Sequence, residues 1–476
     1  TGDILGDVGV GGDYSSKTAG TSNLRLGVNA GDSIASGGNF NVCVGDEAGT
    51  AITTGDQNTA VGYRALFTNN TGSNNVALGT YALDLNVSGA SNTALGYLAL
   101  SANTTGTLNV AVGKDSMDSN LTGDKNTAVG VDSLQGLTDA DKNVAIGMGA
   151  LTTDTKGSQS VAVGHEALAN QNFTSAIDCK NTAVGTFAGN DITTGINNTF
   201  VGAVCGDALT DADFNVALGA HALTLDTLGS KSAALGYYAL GNQNFTSATD
   251  TYNVAVGYQA GIAVTTGAGN TLIGGLAGVA ITTASNITAV GFQALSENTS
   301  GANGVAVGKD ALKLNTTGSN NCAVGLAALT ACTTGDESTA CGTGALASVT
   351  TSNNNTGFGR AAGSAVSTGH SNILVGAFAG DGLTTANNCI FIGRDATESA
   401  VGTSNQTVLG TGVTCVGDSN FTFGGGSTDS NIAFGATSIS APSDQRYKEE
   451  IADATAGLSF IKDLRPVTFK WKKEKD

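Results

Sequence analysis

The chain has 476 residues, 39 acidic against 21 basic side chains, a net charge of −18 and 5% aromatic residues. That charge repels phosphate backbones and anionic lipid surfaces, which argues against nucleic-acid binding or membrane binding as the main task. No apolar run of 18 residues exists to span a membrane, and the aromatic content is too low for the cores of the three domains that length alone suggests.

The chain starts at Thr1 without Met, so an upstream portion is expected, holding an attachment domain or a signal peptide. Residues 1–40 read as a lead-in. From 41 to 415 one signal dominates. Between Gly45 and Gly410 a glycine recurs 22 times in the frame Asn/Ser-x-Ala-Val-Gly, and 19 of the 21 intervals are 17 residues long. A unit this short cannot enclose a core alone, so each must bury the apolar face of the next. The spacing predicts an all-β, repetitive parallel β-solenoid of 17-residue coils. Runs such as Asn58-Thr59-Ala60-Val61 suit strands and Thr71 to Asn74 suits a turn.

The residue before each marker glycine is apolar (Val61, Leu78, Leu95), and the one before that is Ala in 15 of 22 units. Neighbouring strand residues point to opposite faces, so these two columns cannot share one. The Val/Leu column is expected to fill the coil. The flat Ala column is then the outer face, and a homotrimer packed on it would hide a strip longer than monomers tolerate. Thr pairs such as Thr53-Thr54, Thr265-Thr266 and Thr384-Thr385 suggest an ice-binding hydroxyl row, but they skip many coils and no continuous ladder is expected.

The two 21-residue units carry one insertion twice: Asn170-Gln171-Asn172-Phe173-Thr174-Ser175-Ala176 and Asn242-Gln243-Asn244-Phe245-Thr246-Ser247-Ala248. An aromatic ring flanked by amides is sugar-binding chemistry, which makes Asn172, Phe173, Asn244 and Phe245 candidate glycan contacts. The bland alternative is a bulge whose Phe covers the core edge. Tyr63, Tyr97, Tyr237, Tyr238 and Tyr258 form a second candidate aromatic row. The acidic residues show no repeated pair of the kind a glycosidase uses. His165, His221 and His370 lack metal-ligand spacing, the eight cysteines lack a CxxC pair and read as buried free thiols, and Gly424-Gly425-Gly426 has no strand-then-helix context. No metal and no cofactor is expected.

Residues 416–442 read as a β-rich connector with Phe421-Thr422-Phe423 and Ile432-Ala433-Phe434. At 443 the composition changes: Trp471, the only tryptophan, and Pro466 lie beyond it, with 8 basic and 7 acidic residues in 34 positions. Ile451, Ala454, Leu458 and Ile461 are spaced as one helix face, and Val467, Phe469 and Trp471 alternate as in a strand.

The pattern Ser443-Asp444-x-Arg446-x-Lys448, followed by Leu464-Arg465-Pro466-Val467-x-Phe469-x-Trp471, resembles the start of the endosialidase-type intramolecular chaperone domain. The resemblance implies a module of phage tail fibres and tailspikes that helps three chains interlock and then cuts itself off. It places the scissile bond at Pro442-Ser443, with Ser443 as nucleophile, Lys448 as general base, and Asp444 and Arg446 in support. A serine hydroxyl needs such a base, and lysine serves only when its pKa falls. The bland reading makes Ser443 a helix N-cap. The Asn-x-Val-Ala-x-Gly units are more loosely similar to the heads of trimeric autotransporter adhesins.

These readings converge on a homotrimeric fibre of a phage tail, assembled in the host cytoplasm and carried on the virion. Its expected partners are a host surface glycan or other receptor and, through the upstream portion, other tail proteins. A bacterial trimeric adhesin and a polysaccharide-depolymerising tailspike are the alternatives.

Overall fold

The computed structural model describes residues 20–425 and 429–436, and among them there is no α-helix. Three-residue strands stack coil upon coil into a sheet of 25 strands, roughly 110 Å long at about 4.8 Å per strand. The pairing is parallel and in register: Thr59, Ala60 and Val61 lie opposite Val76, Ala77 and Leu78. Thr59 N donates forward to the Asn75 carbonyl (2.8 Å) and Gly62 N donates back to that of Val44 (2.8 Å). The expected solenoid is therefore observed. Its ladder starts at Leu24–Leu26, paired with Val42–Val44 inside the segment read as a lead-in, and ends where Asn420–Phe423 turns back in an antiparallel pair with Ser430–Ala433.

The marker glycine is fixed twice over. Gly62 has φ +128°, and a Cβ there would meet the Gly79 carbonyl of the next coil at 2.8 Å. A side chain would clash and strain the backbone together.

The two apolar columns are exchanged relative to the sequence expectation. Ala77 and Ala94 are fully buried inside the coil, whereas Leu78 and Leu95 are 45% and 42% exposed outside it. Parity put the columns on opposite faces but did not say which face was inner. Where Leu66, Leu83 and Leu100 reach in from the far wall, the strand station has room only for Ala; where the far wall carries glycine, as at Gly189 and Gly206 or Gly261 and Gly278, the same station holds the buried Phe200 or Leu272. Leu66, Leu83 and Leu100 sit at φ near +55°, a conformation that costs roughly 1–2 kcal/mol for a residue with a Cβ.

Polar groups line the rest of the interior. Asn109 Nδ2 donates to the Gly123 carbonyl (2.7 Å) and its Oδ1 accepts from Asn126 N (2.9 Å). Asn58, Asn75, Asn92, Asn126 and Asn143 repeat the pattern. Asn69, Asn86, Asn103 and Asn120 form a second amide ladder. The Thr row is also more continuous than expected. From Thr265 to Ser367 every coil's hydroxyl donates to the next coil's carbonyl, with serine standing at 367. Those hydroxyls are spent on the fold.

Candidate functional site

Each 21-residue unit closes around a buried carboxylate. Asp154 Oδ1 accepts from Gly157 N (3.0 Å) and Phe173 N (3.2 Å), and Oδ2 accepts from Gln171 Nε2 (2.5 Å). Gln171 Nε2 also reaches Ser160 Oγ (3.1 Å), and its Oε1 accepts from Asn181 Nδ2 (2.8 Å). Asp226, Gln243, Ser232 and Asn253 reproduce the set. Burial pushes both carboxyls above their ordinary 3.8, against the hydrogen bonds from the glutamines.

This arrangement decides where the insertions' side chains go. Phe173 and Phe245 are 6% and 7% exposed, with their rings packed at the core edge, so no open aromatic face is offered there. Asn172 and Asn244 are exposed, and each amide oxygen accepts from a threonine one coil back, Thr155 and Thr227 (3.2 Å each).

The surface rings lie on the two positions after the marker glycine. Tyr63, Tyr97, Tyr237 and Tyr258 are exposed. Tyr81 stands edge-on to Tyr63 and Tyr97, beside an Arg64–Asp84 ion pair at 3.2 Å. Tyr237 and Tyr258 stack at 5.7 Å, and His221 stacks on Tyr238 at 4.6 Å. His165 meets Phe187 edge-on and His370 is exposed. Among the described residues no three His, Cys, Asp or Glu gather as metal ligands, and no helix is long and apolar enough to cross a membrane.

All eight cysteines are free thiols. Burial pushes Cys43, Cys179 and Cys205 up to about 12, which keeps them protonated and unreactive. Cys322 and Cys341 depart from the expectation of burial: both are partly exposed, one coil apart on the outer face.

That outer face is a largely apolar strip of two columns, one apolar on every coil and the other shared between Val or Ile and threonines such as Thr59, Thr93 and Thr127. Beside each buried middle residue stand two outward side chains, as with Val76 and Leu78 about Ala77, Val216 and Leu218 about Ala217, or Ile390 and Ile392 about Phe391, all six among the exposed large hydrophobics. Its area is on the order of 800 Å², about 110 Å by about 7 Å from strand geometry. Ordinary monomers keep their largest apolar patch to about 300–600 Å². Sequence reading found the need for a covered strip but assigned it to the wrong column.

At the end of the rod Thr407, Phe421, Ile432 and Phe434 line a shallow apolar depression. Ser443, Asp444, Arg446 and Lys448 lie outside the described residues. Residues 443–476 match the family model described as chaperone of endosialidase. No curated protein and no solved structure matches the chain. A β-solenoid rod is thus followed by a segment of the endosialidase chaperone type.

Proposed function

We propose that the chain is the shaft of a homotrimeric phage tail fibre that attaches to a host surface, assembled with the help of its C-terminal module. The observation that carries this reading is the joining of a 24-coil parallel rod to the chaperone-type segment at 443–476. The apolar strip supports it: roughly 800 Å² per chain is the share that a stable interface takes from each partner, and three strips facing a common axis would cover one another. The acidic rod, with many repeated stations, suits weak multivalent contact with a surface better than a single tight site.

Release of the module follows from the motif. Ser443 Oγ gives its proton to Lys448 and attacks the Pro442 carbonyl carbon. The Pro442–Ser443 C–N bond breaks, the proton passes to the departing nitrogen, and an ester forms between Pro442 and the serine oxygen. Water then hydrolyses the ester to a Pro442 carboxylate and restores the hydroxyl.

Two measurements test the reading. Sedimentation equilibrium is expected to give three times the 46.9 kDa chain mass, and Leu78→Glu with Leu95→Glu is expected to abolish the trimer; a monomeric parent chain refutes it. In the full-length gene product Ser443→Ala is expected to leave the module attached, as read by mass spectrometry. Normal cleavage in that variant removes the assignment of the nucleophile.

A further inference from the structure

We infer that the row following the marker glycines on four successive coils, Tyr237, Tyr258, Gly275 and Phe292, is a binding site for a neutral saccharide lying along the rod. The inference rests on reading the rod as an attachment fibre and gives that reading a ligand class.

The row sits just beyond the turn that ends each strand of the sheet. Tyr258 and Phe292 are 55% and 48% exposed, two coils and so about 10 Å apart. Between them Gly275 contributes no side chain, and a Cβ built there would lie 3.6 Å from Phe292 Cδ2. The Phe292 ring therefore lies against the Gly275 position, on the side of the row toward Tyr258. Tyr237 stacks on the far side of Tyr258, with planes 12° apart, and Tyr238 stands edge-on to Tyr237 at 4.7 Å. These contacts hold the rings in place before any ligand arrives.

Amides flank the row. Gln259 and Gln293 follow Tyr258 and Phe292, are half-exposed, and among the described residues their side chains have no hydrogen-bond partner. Rings that receive the CH face of a pyranose, beside free amides that meet its hydroxyls, are the composition of a carbohydrate surface. Charge selects the class of sugar. Residues 251–296 contain no Asp, Glu, Lys, Arg or His, in a chain of net charge −18. The nearest cation along the row, Lys309 one coil beyond Phe292, is paired with Asp310 (3.8 Å), and His221 lies beside Tyr237 at the other end, so the stretch between them gives an anionic polymer no counter-charge and the surrounding acidic rod repels it. The buried Phe173 and Phe245 offer no comparable surface.

The test uses the whole chain with neutral cello-, malto- and isomalto-hexaose and an anionic hexauronate as probes, read by saturation-transfer NMR and tyrosine fluorescence titration. The expected result is saturation of ring protons of a neutral hexaose and none of the hexauronate. Tyr258→Ala and Phe292→Ala each weaken binding at least tenfold with an unchanged melting temperature, and Gln259→Asn, which tolerates the left-handed backbone there (φ 53°), weakens it less. Absence of saturation from all three neutral probes overturns the inference, as do aromatic variants that bind like the parent. Adhesion of the fibre to host cells that survives Tyr258→Ala with Phe292→Ala overturns this site and leaves attachment standing. A parent fibre that binds a neutral hexaose but does not adhere to those cells upholds the site and removes attachment.

Discussion

Replacing Asn109 by Ala tests whether the interior amide ladder or the apolar packing holds the coils in register. Asn109 is fully buried, and its loss strands Asn126 N, which donates to Oδ1, and takes from the Gly123 carbonyl the shorter of its two amide donors, leaving Asn120 Nδ2 at 3.2 Å. A buried group left without a partner costs about 1–3 kcal/mol and a lost hydrogen bond about 0.5–1.5 kcal/mol, so the variant is expected to lose roughly 1.5–4.5 kcal/mol. The backbone of Asn109 keeps its own bond to Asn92 Oδ1 (2.9 Å), so the damage runs in one direction along the rod. Because each coil touches only its neighbours, the loss appears locally. Amide hydrogen exchange is the assay, with faster exchange expected for coils 109–143 and little change beyond residue 200. Thr105→Ala, an exposed position in the same coil, is the control and is expected to change stability by less than about 0.5 kcal/mol. Equal exchange in Asn109→Ala and the control refutes the argument and assigns coil register to packing alone.

Ala111→Leu with Ala128→Leu overpacks the coil interior rather than an outer face. About 1–3 kcal/mol per site is expected to be lost, seen as a lower melting temperature whatever the oligomeric state; an unchanged melt refutes the inward placement of the Ala column. Asp154 and Asp226 are raised above 3.8 by burial, so the folded chain keeps protons that the unfolded chain releases. Stability from these two groups is expected to fall as pH rises from about 3.8 through the raised values. Other half-buried acids such as Asp84 and Asp207 shift the same way, so the comparison that isolates the pair is Asp154→Asn with Asp226→Asn, expected to flatten the slope of melting temperature against pH. In a thiol titration of the dissociated but folded chain, Cys322 and Cys341 are expected to react well ahead of the six buried cysteines, and both are expected to be shielded in the trimer. Equal rates for both states place the interface elsewhere.

The period was legible because a coil repeated in register repeats its sequence constraints: the marker glycine recurs since its Cβ has nowhere to go on any coil. The orientation of the columns was not legible, because alternation fixes only that Ala77 and Leu78 face opposite ways. What breaks that symmetry is the far wall, where Leu66 and Leu83 reach inward from a left-handed conformation that local propensity argues against. Phe173 illustrates a second limit. Its neighbours Gln171 and Asn172 look alike in sequence, yet one is buried in the Asp154 network and the other exposed. The signal that separates them was Asp154, 17 residues before Gln171, one coil earlier at the same station.

That carboxylate also explains why the insertion comes with three changes and not one. In a regular coil the strand-leading Asn receives from the next coil's Asn through its Oδ1, as Asn109 does from Asn126. In the coils preceding the insertions the station is Ser160 or Ser232, whose hydroxyls meet Gln171 and Gln243, whereas Ser338 in a 17-residue coil still accepts from Asn355 N. Gln171 and Gln243 step in from the opposite wall, each accepting from the Asn that leads the following strand, Asn181 and Asn253. A glutamine so committed directs its NH2 inward to Asp154 or Asp226, whose second carboxyl oxygen accepts it at 2.5 Å while the first takes two backbone N–H groups, one of them from the inserted Phe. Serine, glutamine and aspartate therefore form one substitution in three parts. Its recurrence 72 residues later marks it as the means by which a longer coil stays in step with its neighbours.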